Sequence, residues 1–149
     1  MVYNFGKLNR NKVRAALTVG ILLSVFDFIL ENIGKIMGLW VSHHGLFFIT
    51  YVPIEILIIC FFGGTFWSLI LPTKRDDKFG MLFILLSIIS ATFLESKLVD
   101  LGLMAYGGGW TSLHALVAYS IIIFLMHETF YFFYAHFSKT KFRWLSLPE

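Results

Sequence analysis

The stretch GMLFILLSIISATFLESKLVDLGL, residues 80–103, decides the class of fold. It carries no charge from Gly80 to Leu94, and then places Glu95 near the end of the apolar run. About 20 consecutive apolar residues are enough for a helix to cross the ~30 Å hydrocarbon core of a bilayer. We therefore interpret this stretch as a transmembrane helix with an acidic side chain near one end.

The end of this stretch repeats a pattern from earlier in the chain. Each copy has Leu-Glu followed by x-Gly-Leu: Leu30-Glu31 with Met37-Gly38-Leu39, and Leu94-Glu95 with Leu101-Gly102-Leu103. An acid at the centre of a membrane helix costs about 2.5–3.5 kcal/mol on insertion scales, so such residues are functional-site candidates by default. The doubled acid suggests two related halves around one site, although chance and simple topological likeness also explain so short a pattern.

The composition of the whole chain fits the same interpretation. The chain has 149 residues, of which 58% are hydrophobic and 18% aromatic, whereas soluble domains are about 45–50% apolar. Four stretches are long enough to span a membrane: about Val13–Gly34, Gly45–Leu71, Gly80–Leu103 and Trp110–His136. We predict an all-α, polytopic membrane protein, with residues 1–149 forming a single integral membrane domain.

The basic residues indicate the orientation of the predicted spans. They cluster before span one, between spans two and three, and after span four: Lys7, Arg10, Lys12, Arg14; Lys74, Arg75, Lys78; Lys139, Lys141, Arg143. The two other connections carry no Lys or Arg, so the positive-inside rule places both termini and the central loop in the cytoplasm. The net charge of +3 follows this topology and gives no indication of nucleic-acid binding.

The four spans group into two helical hairpins, at about residues 13–71 and 80–137. The charged linker of residues 72–79 joins them, and Pro72 ends span two. Because both hairpins start in the cytoplasm, we predict parallel repeats related by an axis along the membrane normal. Within span two, Gly63-Gly64 predicts close helix approach, and Pro53 predicts a kink.

Several acids and a histidine are predicted to share one cavity in the outer half of the membrane: Asp27, Glu31, Glu55, Glu95 and His114. Glu55 falls near the middle of span two, where burial favours the protonated form that a general acid needs. The same Glu55 would also suit a hydrogen bond between helices. Lys35 beside Glu31, and Lys97 beside Asp100, leave open the alternative of ion pairs at the membrane rim. His127 and Glu128 lie deeper and are secondary candidates.

The chain shows no spacing typical of a metal or disulfide site. Diiron carboxylate bundles use Glu-x-x-His, which is absent, and His43-His44 lie in a predicted loop. Cys60 is the single cysteine, so no internal disulfide forms. We predict no metal and no cofactor.

One run of residues resembles a known family. Glu31, Gly38-Leu39-Trp40, Gly45, Val52-Pro53-Ile54-Glu55 and Phe61-Phe62 are similar to the repeat of the small membrane lycopene cyclases of bacteria and archaea. That repeat has an acid, then Gly-x-Trp, then Pro-x-Glu-Glu opening a Phe-rich span. The resemblance covers about residues 26–62. Two features depart from it: Ile56 replaces the second Glu, and the second half has no Pro-x-Glu.

The resemblance implies cofactor-independent acid catalysis on a polyene in a prokaryotic cell membrane. Glu55 would be the proton donor or a charge-stabilising partner and Glu31 the opposing acid, with Asp27, Glu95 and His114 as further catalytic candidates. The substrate-binding candidates are aromatic: Trp40, Phe61, Phe62, Trp110 and Tyr119. The family unit has more spans, in one fused chain or two subunits, which implies a second subunit or a homo-oligomer. The partners are then membrane lipid and a lipophilic isoprenoid.

Three functions stay open on the sequence. The first is a cyclase, isomerase or hydratase that acts on an isoprenoid, carotenoid or sterol-like double bond. The second is a small oligomeric transporter or channel protomer in which intramembrane acids conduct protons or cations. The third is an accessory subunit whose acids contact a partner in a membrane complex.

Overall fold

The computed structural model describes residues 9–43 and 45–139. Four helices form the body of the molecule: α1 (Arg10–Ile36), α2 (Ile54–Ile70), α3 (Lys78–Asp100) and α4 (Ser112–Lys139). Four short strands lie in the connections: β1 (Trp40–Ser42), β2 (Phe48–Ile49), β3 (Val52–Pro53) and β4 (Met104–Tyr106). Of the positions used above, Lys7, His44, Lys141 and Arg143 lie outside the described residues.

Three of the helices, α1, α3 and α4, are long and apolar enough to cross a membrane. Large apolar side chains on these helices are exposed, as they are on a surface that faces lipid. In the most apolar window of α3, 11% of the residues are buried inside the molecule. The mostly helical class is confirmed, and three of the predicted spans form helices that are long and apolar enough to cross a membrane. The α2 helix is shorter, with 17 residues.

The second predicted span is not one continuous helix. Its first part, from Gly45 to Pro53, forms a β2–β3 hairpin in which Phe48 pairs with Pro53. Pro53 is the N-cap of α2, where a fixed φ and a missing N–H cost nothing. The predicted kink at Pro53 is therefore wrong, because the proline precedes the helix. Glu55 consequently lies in the first turn of α2, not in the middle of a span.

The α1 helix packs closely on α2 through small residues. A Cβ atom at Gly20 would lie 2.5 Å from the backbone oxygen of Phe61, and it would also collide with the hydroxyl of Thr65. On the facing helix, Gly64 lies against Gly20 and Leu23. Gly63, in contrast, has open space where a side chain would begin. Of the predicted glycine pair, therefore, only Gly64 permits the close approach of α2 to α1.

The buried apolar core lies at one end of the bundle. It joins the first half of α1 to the last part of α4 and to the end of α2, through Ala15, Val19, Leu71, Phe130 and Tyr131. The linker is bound to the same end, since the Tyr131 hydroxyl donates to the backbone oxygen of Pro72 at 2.6 Å. This core fixes the helices at the end that carries the linker.

The opposite end is closed by an antiparallel ladder between the two halves of the chain. Strand β1 pairs with β4, and Val41 lies opposite Ala105 at its centre. The helices that precede these strands end in the same way, because Gly38 and Gly102 adopt positive φ angles of 67° and 70°. Glycine reaches this conformation without steric cost and commonly ends a helix. The repeated Glu-to-Gly pattern is thus a repeated helix end followed by a strand.

Candidate functional site

A cavity of about 860 Å³ lies between the helices, next to the β1–β4 ladder. Four acids line it: Asp27, Glu31, Glu55 and Glu95. Most of the remaining lining is apolar, and the described lining residues include no Lys, Arg or His. The structure thus brings together four of the five residues that the sequence predicted to share a cavity.

One face of α1 supplies the first part of the site. Leu23, Asp27 and Glu31 follow each other at steps of four residues, and all three line the cavity. Residues four apart lie on neighbouring turns of the same helix face. Two carboxyl groups are therefore stacked one turn apart along the same wall.

Glu31 is held by the strand that follows its own helix. The indole Nε1 of Trp40 donates to one carboxylate oxygen at 3.3 Å, and the Ser42 hydroxyl donates to the other at 3.2 Å. Trp40 reaches this position because Gly34 has no side chain where the indole ring lies on α1. Glu31 therefore bonds to β1, and the rim ion pair considered for Lys35 does not describe it.

Glu95 is held in the equivalent way by the second half. It accepts a hydrogen bond of 2.7 Å from the Tyr106 hydroxyl, and the Tyr119 hydroxyl also bonds to it. Tyr106 follows Glu95 by 11 residues, as Ser42 follows Glu31. In both halves, therefore, the side chain at the third position of the strand binds the glutamate of the preceding helix.

The Tyr106 phenol is sensitive to this environment. Burial, followed by the hydrogen bond to Glu95, raises the pKa of Tyr106 from 10.0 to about 12. The folded protein then retains a proton that the unfolded chain releases between these values, so the free energy of unfolding falls as pH rises from about 10 to 12. Below pH 10 this contribution is fully present.

We expect Tyr106→Phe to remove this pH dependence. The measurement is the thermal midpoint in detergent between pH 9 and pH 12, compared for wild type and variant. The wild-type midpoint falls more steeply than that of the variant in the upper part of the range. Parallel curves for the two proteins would contradict the assignment.

Asp27 has weaker hydrogen-bond partners than the two glutamates. The Cys60 thiol bonds to it, and thiols are weak donors. Its Oδ2 atom is buried without a hydrogen-bond partner. A buried polar atom without a partner is costly unless a ligand or proton satisfies it. Asp27 thus has an oxygen open to a further contact in the cavity, as does Glu55, whose Oε2 atom is also buried without a partner.

Glu55 reaches the cavity from its edge. Its Oε1 atom accepts a 2.6 Å hydrogen bond from the backbone N–H of Leu46, which holds the β2–β3 hairpin against the start of α2. A backbone N–H favours the ionised form of a carboxyl group that accepts it. The retention of a proton predicted for Glu55 is therefore wrong.

Three predicted site residues lie away from the cavity lining. His114 bonds through Nδ1 to the Thr111 hydroxyl at 2.9 Å and stacks on Trp110, and its side chain is exposed. Phe61 packs beside Gly20 between α1 and α2, and Phe62 is 51% exposed. The substrate-lining roles predicted for the two phenylalanines do not fit these positions.

Trp40 and Trp110, which the sequence predicted to bind substrate, pack against each other beside the β1–β4 ladder. Their rings lie 4.6 Å apart at an angle of 52°, and Trp40 also donates to Glu31. Neither ring is among the described lining residues of the cavity. Tyr119 is, so it is the predicted aromatic residue that contacts the cavity directly.

The secondary candidates form a separate cluster near the linker. His127 Nδ1 lies 3.0 Å from Glu128, and Arg75 lies 2.5 Å from the other oxygen of the same carboxylate. Since Arg75 belongs to the linker, this cluster binds the linker to α4. At the other rim, Lys97 and Asp100 form a 2.6 Å ion pair, which confirms the alternative considered for Asp100.

The contributors that sequence reasoning missed include Ser42, Cys60, Tyr106 and Met126. The repeated sequence pattern contained a signal for Ser42 and Tyr106. Glu95 stands 64 positions after Glu31, and Tyr106 stands 64 positions after Ser42. Extending the repeat through the turn would have identified both donors.

Within residues 9–43 and 45–139, no group of three or more His, Cys, Asp and Glu side chains is arranged to hold a metal ion. The chain matches no protein-family model, no curated protein and no solved structure.

Proposed function

We propose that this protein is an intramembrane acid–base catalyst that acts on a double bond of an isoprenoid-type lipid, as a cyclase, isomerase or hydratase. The observation that carries the proposal is the cavity itself. Three carboxyl groups, those of Asp27, Glu31 and Glu95, face one largely apolar space between helices that are apolar enough to span a membrane. An acid and a base on opposite walls are the minimum that such a reaction requires.

The arrangement supports a division of roles among the carboxyl groups. Asp27 has an unpartnered buried oxygen, so a proton on that oxygen is free to move to a substrate. Glu95 accepts two hydroxyl donors, from Tyr106 and Tyr119, and such donors stabilise a carboxylate. We assign Asp27 as the proton donor and Glu95 as the proton acceptor. Glu31, one turn from Asp27, then accepts the proton from Glu95 and returns it to Asp27, which restores the starting state.

The proposed reaction balances without a cofactor. The π electrons of a double bond take the Asp27 proton and form a C–H bond, which leaves a carbocation on the neighbouring carbon and a carboxylate on Asp27. A second double bond can then attack the cation and close a ring. Loss of a proton from an adjacent carbon to Glu95 restores a double bond. Carboxylates at the cavity also stabilise the intermediate cation, which reduces the need for an aromatic lining.

We also propose the membrane arrangement that this function needs. In it α2 is the fourth crossing, extended by the apolar β2–β3 hairpin, and both termini and the linker lie in the cytoplasm of a prokaryotic cell. The support is the clustering of Lys and Arg in the segments outside the apolar stretches. A homo-oligomer or second subunit stays compatible with the exposed apolar faces of α3.

The test is to purify the full chain from membranes, extract its bound lipid and identify that lipid by mass spectrometry. In parallel, the chain is produced in cells that accumulate lycopene, an acyclic polyene, and the pigments are separated by chromatography. We expect a stoichiometric isoprenoid in the extract and a cyclised, isomerised or hydrated product in the cells. A protein that yields ordinary phospholipid and leaves the polyene unchanged would contradict the proposal.

The second candidate function is a proton or cation path. The observation that favours it is the absence of Lys, Arg and His from the described cavity lining, which leaves four acids without a local counter-charge. Reconstituted liposomes distinguish the two functions. Ion or proton flux that disappears in Glu31→Gln would support the path, and liposomes that stay tight would exclude it.

A further inference from the structure

The first turn of α1 places a lysine inside the molecule. Lys12 is 2% exposed, whereas lysine is almost never fully buried unless it is paired. It stands one turn before Ala15 and Ala16, both fully buried, and therefore shares the face of α1 that packs on the rest of the bundle. The α1 helix thus begins with an ammonium group on its buried face.

Lys12 has no counter-charge among the residues that the structure describes. Within them its Nζ atom makes no ion pair, no hydrogen bond and no contact with an aromatic ring. Its 2.7 Å hydrogen bond to the Asn9 side chain uses the backbone N–H instead. An ionised group that leaves water without a partner is costly. An anion bound at this place would remove that cost.

The same end of α1 carries further donors. In the described part of the chain, the backbone N–H groups of Arg10 and Asn11 have no acceptor, because a helix has no preceding turn to supply one. Asn9 caps the N–H of Lys12 and leaves these two free. Side chains on a helix lean towards its N-terminus, so the Lys12 ammonium is directed to the same end. The positive end of the helix dipole adds to its charge.

The start of α3 shows how this end differs from an ordinary helix start. Its N-cap is an acid, since Asp77 accepts a 2.8 Å hydrogen bond from the backbone N–H of Phe79. Its first residue is also a lysine, Lys78, but that side chain is exposed. A carboxylate at the N-cap complements the dipole of α3. At α1 the cap is the neutral Asn9 and the lysine is buried, so the negative charge is missing.

We propose that the first turn of α1 binds a phosphate group, held by the Lys12 ammonium and the free N–H groups of Arg10 and Asn11. Helix N-termini bind phosphate through such N–H groups and the dipole, and lysine is a common phosphate ligand. In the membrane arrangement proposed above, this turn lies at the cytoplasmic surface. There the phosphate belongs to an anionic lipid headgroup or to a free phosphate compound.

This site is separate from the acid cavity. Lys12 precedes Asp27 by 15 residues on the same helix, which corresponds to about 22 Å. The cavity lining includes no residue of the first turn of α1. Phosphate binding therefore does not rest on the proposed catalysis, and either one can fail without the other.

The experiment titrates the full chain, purified in an uncharged detergent, with phosphatidylglycerol and counts bound lipid by native mass spectrometry. Phosphatidylcholine, whose phosphate is balanced by choline, is the comparison lipid. Inorganic phosphate is the free-phosphate arm, measured by the thermal midpoint. Lys12→Met removes the ammonium and keeps an unbranched apolar side chain, whereas Lys12→Arg keeps the charge. Lys78→Met is the matched control at the exposed lysine of α3.

We expect wild type to bind phosphatidylglycerol more tightly than phosphatidylcholine. Lys12→Met should weaken the affinity for phosphatidylglycerol roughly tenfold or more, since it removes a hydrogen bond to a charged group. Lys12→Arg and Lys78→Met should keep the wild-type affinity. Without ligand, Lys12→Met should unfold at or above the wild-type temperature, because it no longer buries an unpaired ammonium.

The outcomes distinguish the source of the phosphate and can overturn the site. A midpoint that rises with inorganic phosphate in wild type, but not in Lys12→Met, would identify a free phosphate compound. Lys12-dependent binding of phosphatidylglycerol without that rise would identify a lipid headgroup. Equal responses of wild type and Lys12→Met to both ligands would overturn the site. A ligand-free Lys12→Met that unfolds well below wild type would also overturn it, since the ammonium would then have a partner within the protein.

Discussion

Asp27→Asn is expected to reduce product formation by about 10²–10⁴-fold, the usual range for loss of a general acid. The amide has nearly the same shape as the carboxylic acid but holds no transferable proton. The Cys60 thiol can still bond to the amide oxygen, and no ion pair is lost. We therefore expect the variant to reach the membrane and to unfold at the wild-type temperature.

The matched control for this variant is Asp100→Asn. Asp100 ends α3 and pairs with Lys97 at the rim, outside the cavity lining. In this control the same replacement of a carboxyl group by an amide is made at a position that the proposed reaction does not use. Pigment chromatography of cells that carry each variant gives the comparison. Equal product from Asp27→Asn and wild type would remove Asp27 from the mechanism.

Gly20→Leu is expected to have the largest effect on stability. The new side chain would meet the backbone of Phe61, which belongs to a helix and cannot rotate away. Overpacking of this kind costs about 3 kcal/mol or more in severe cases. For a chain of this size, we expect a thermal midpoint about 6–12 °C below that of wild type.

Gly63→Leu provides the control in the same helix pair. Open space surrounds the Cβ position at Gly63, and leucine has a higher helix propensity than glycine by up to about 1 kcal/mol. Its midpoint should equal or exceed that of wild type in the same detergent. If both variants unfold at the same low temperature, the close α1–α2 contact is not at Gly20.

The helices and most of the acid cluster were predictable from the sequence, because long apolar runs and rare intramembrane acids are strong local signals. Asp27 and Glu31 share a helix face by spacing alone. Their position in one cavity with Glu95 depends on the pairing of β1 with β4, two strands of three residues. Such short strands have no periodicity that sequence analysis can detect.

Glu55 and Pro53 show why the remaining predictions failed. An apolar run does not reveal whether its first residues form a helix or a hairpin, and hydropathy treats both alike. The proline was the informative residue, since proline is more common before a helix than inside one. Reading Pro53 as a helix start would have placed Glu55 in the first turn of α2.

The β1–β4 ladder has a consequence for how the two halves of the chain can differ. Its central pair, Val41 and Ala105, occupies equivalent positions 64 residues apart. Each half therefore contributes an equivalent strand to the ladder. This is the self-complementary contact found in a twofold homodimer. In the single chain the halves are free to differ, and the position equivalent to Asp27 is Ala91, so the proposed proton donor has no counterpart in the second half.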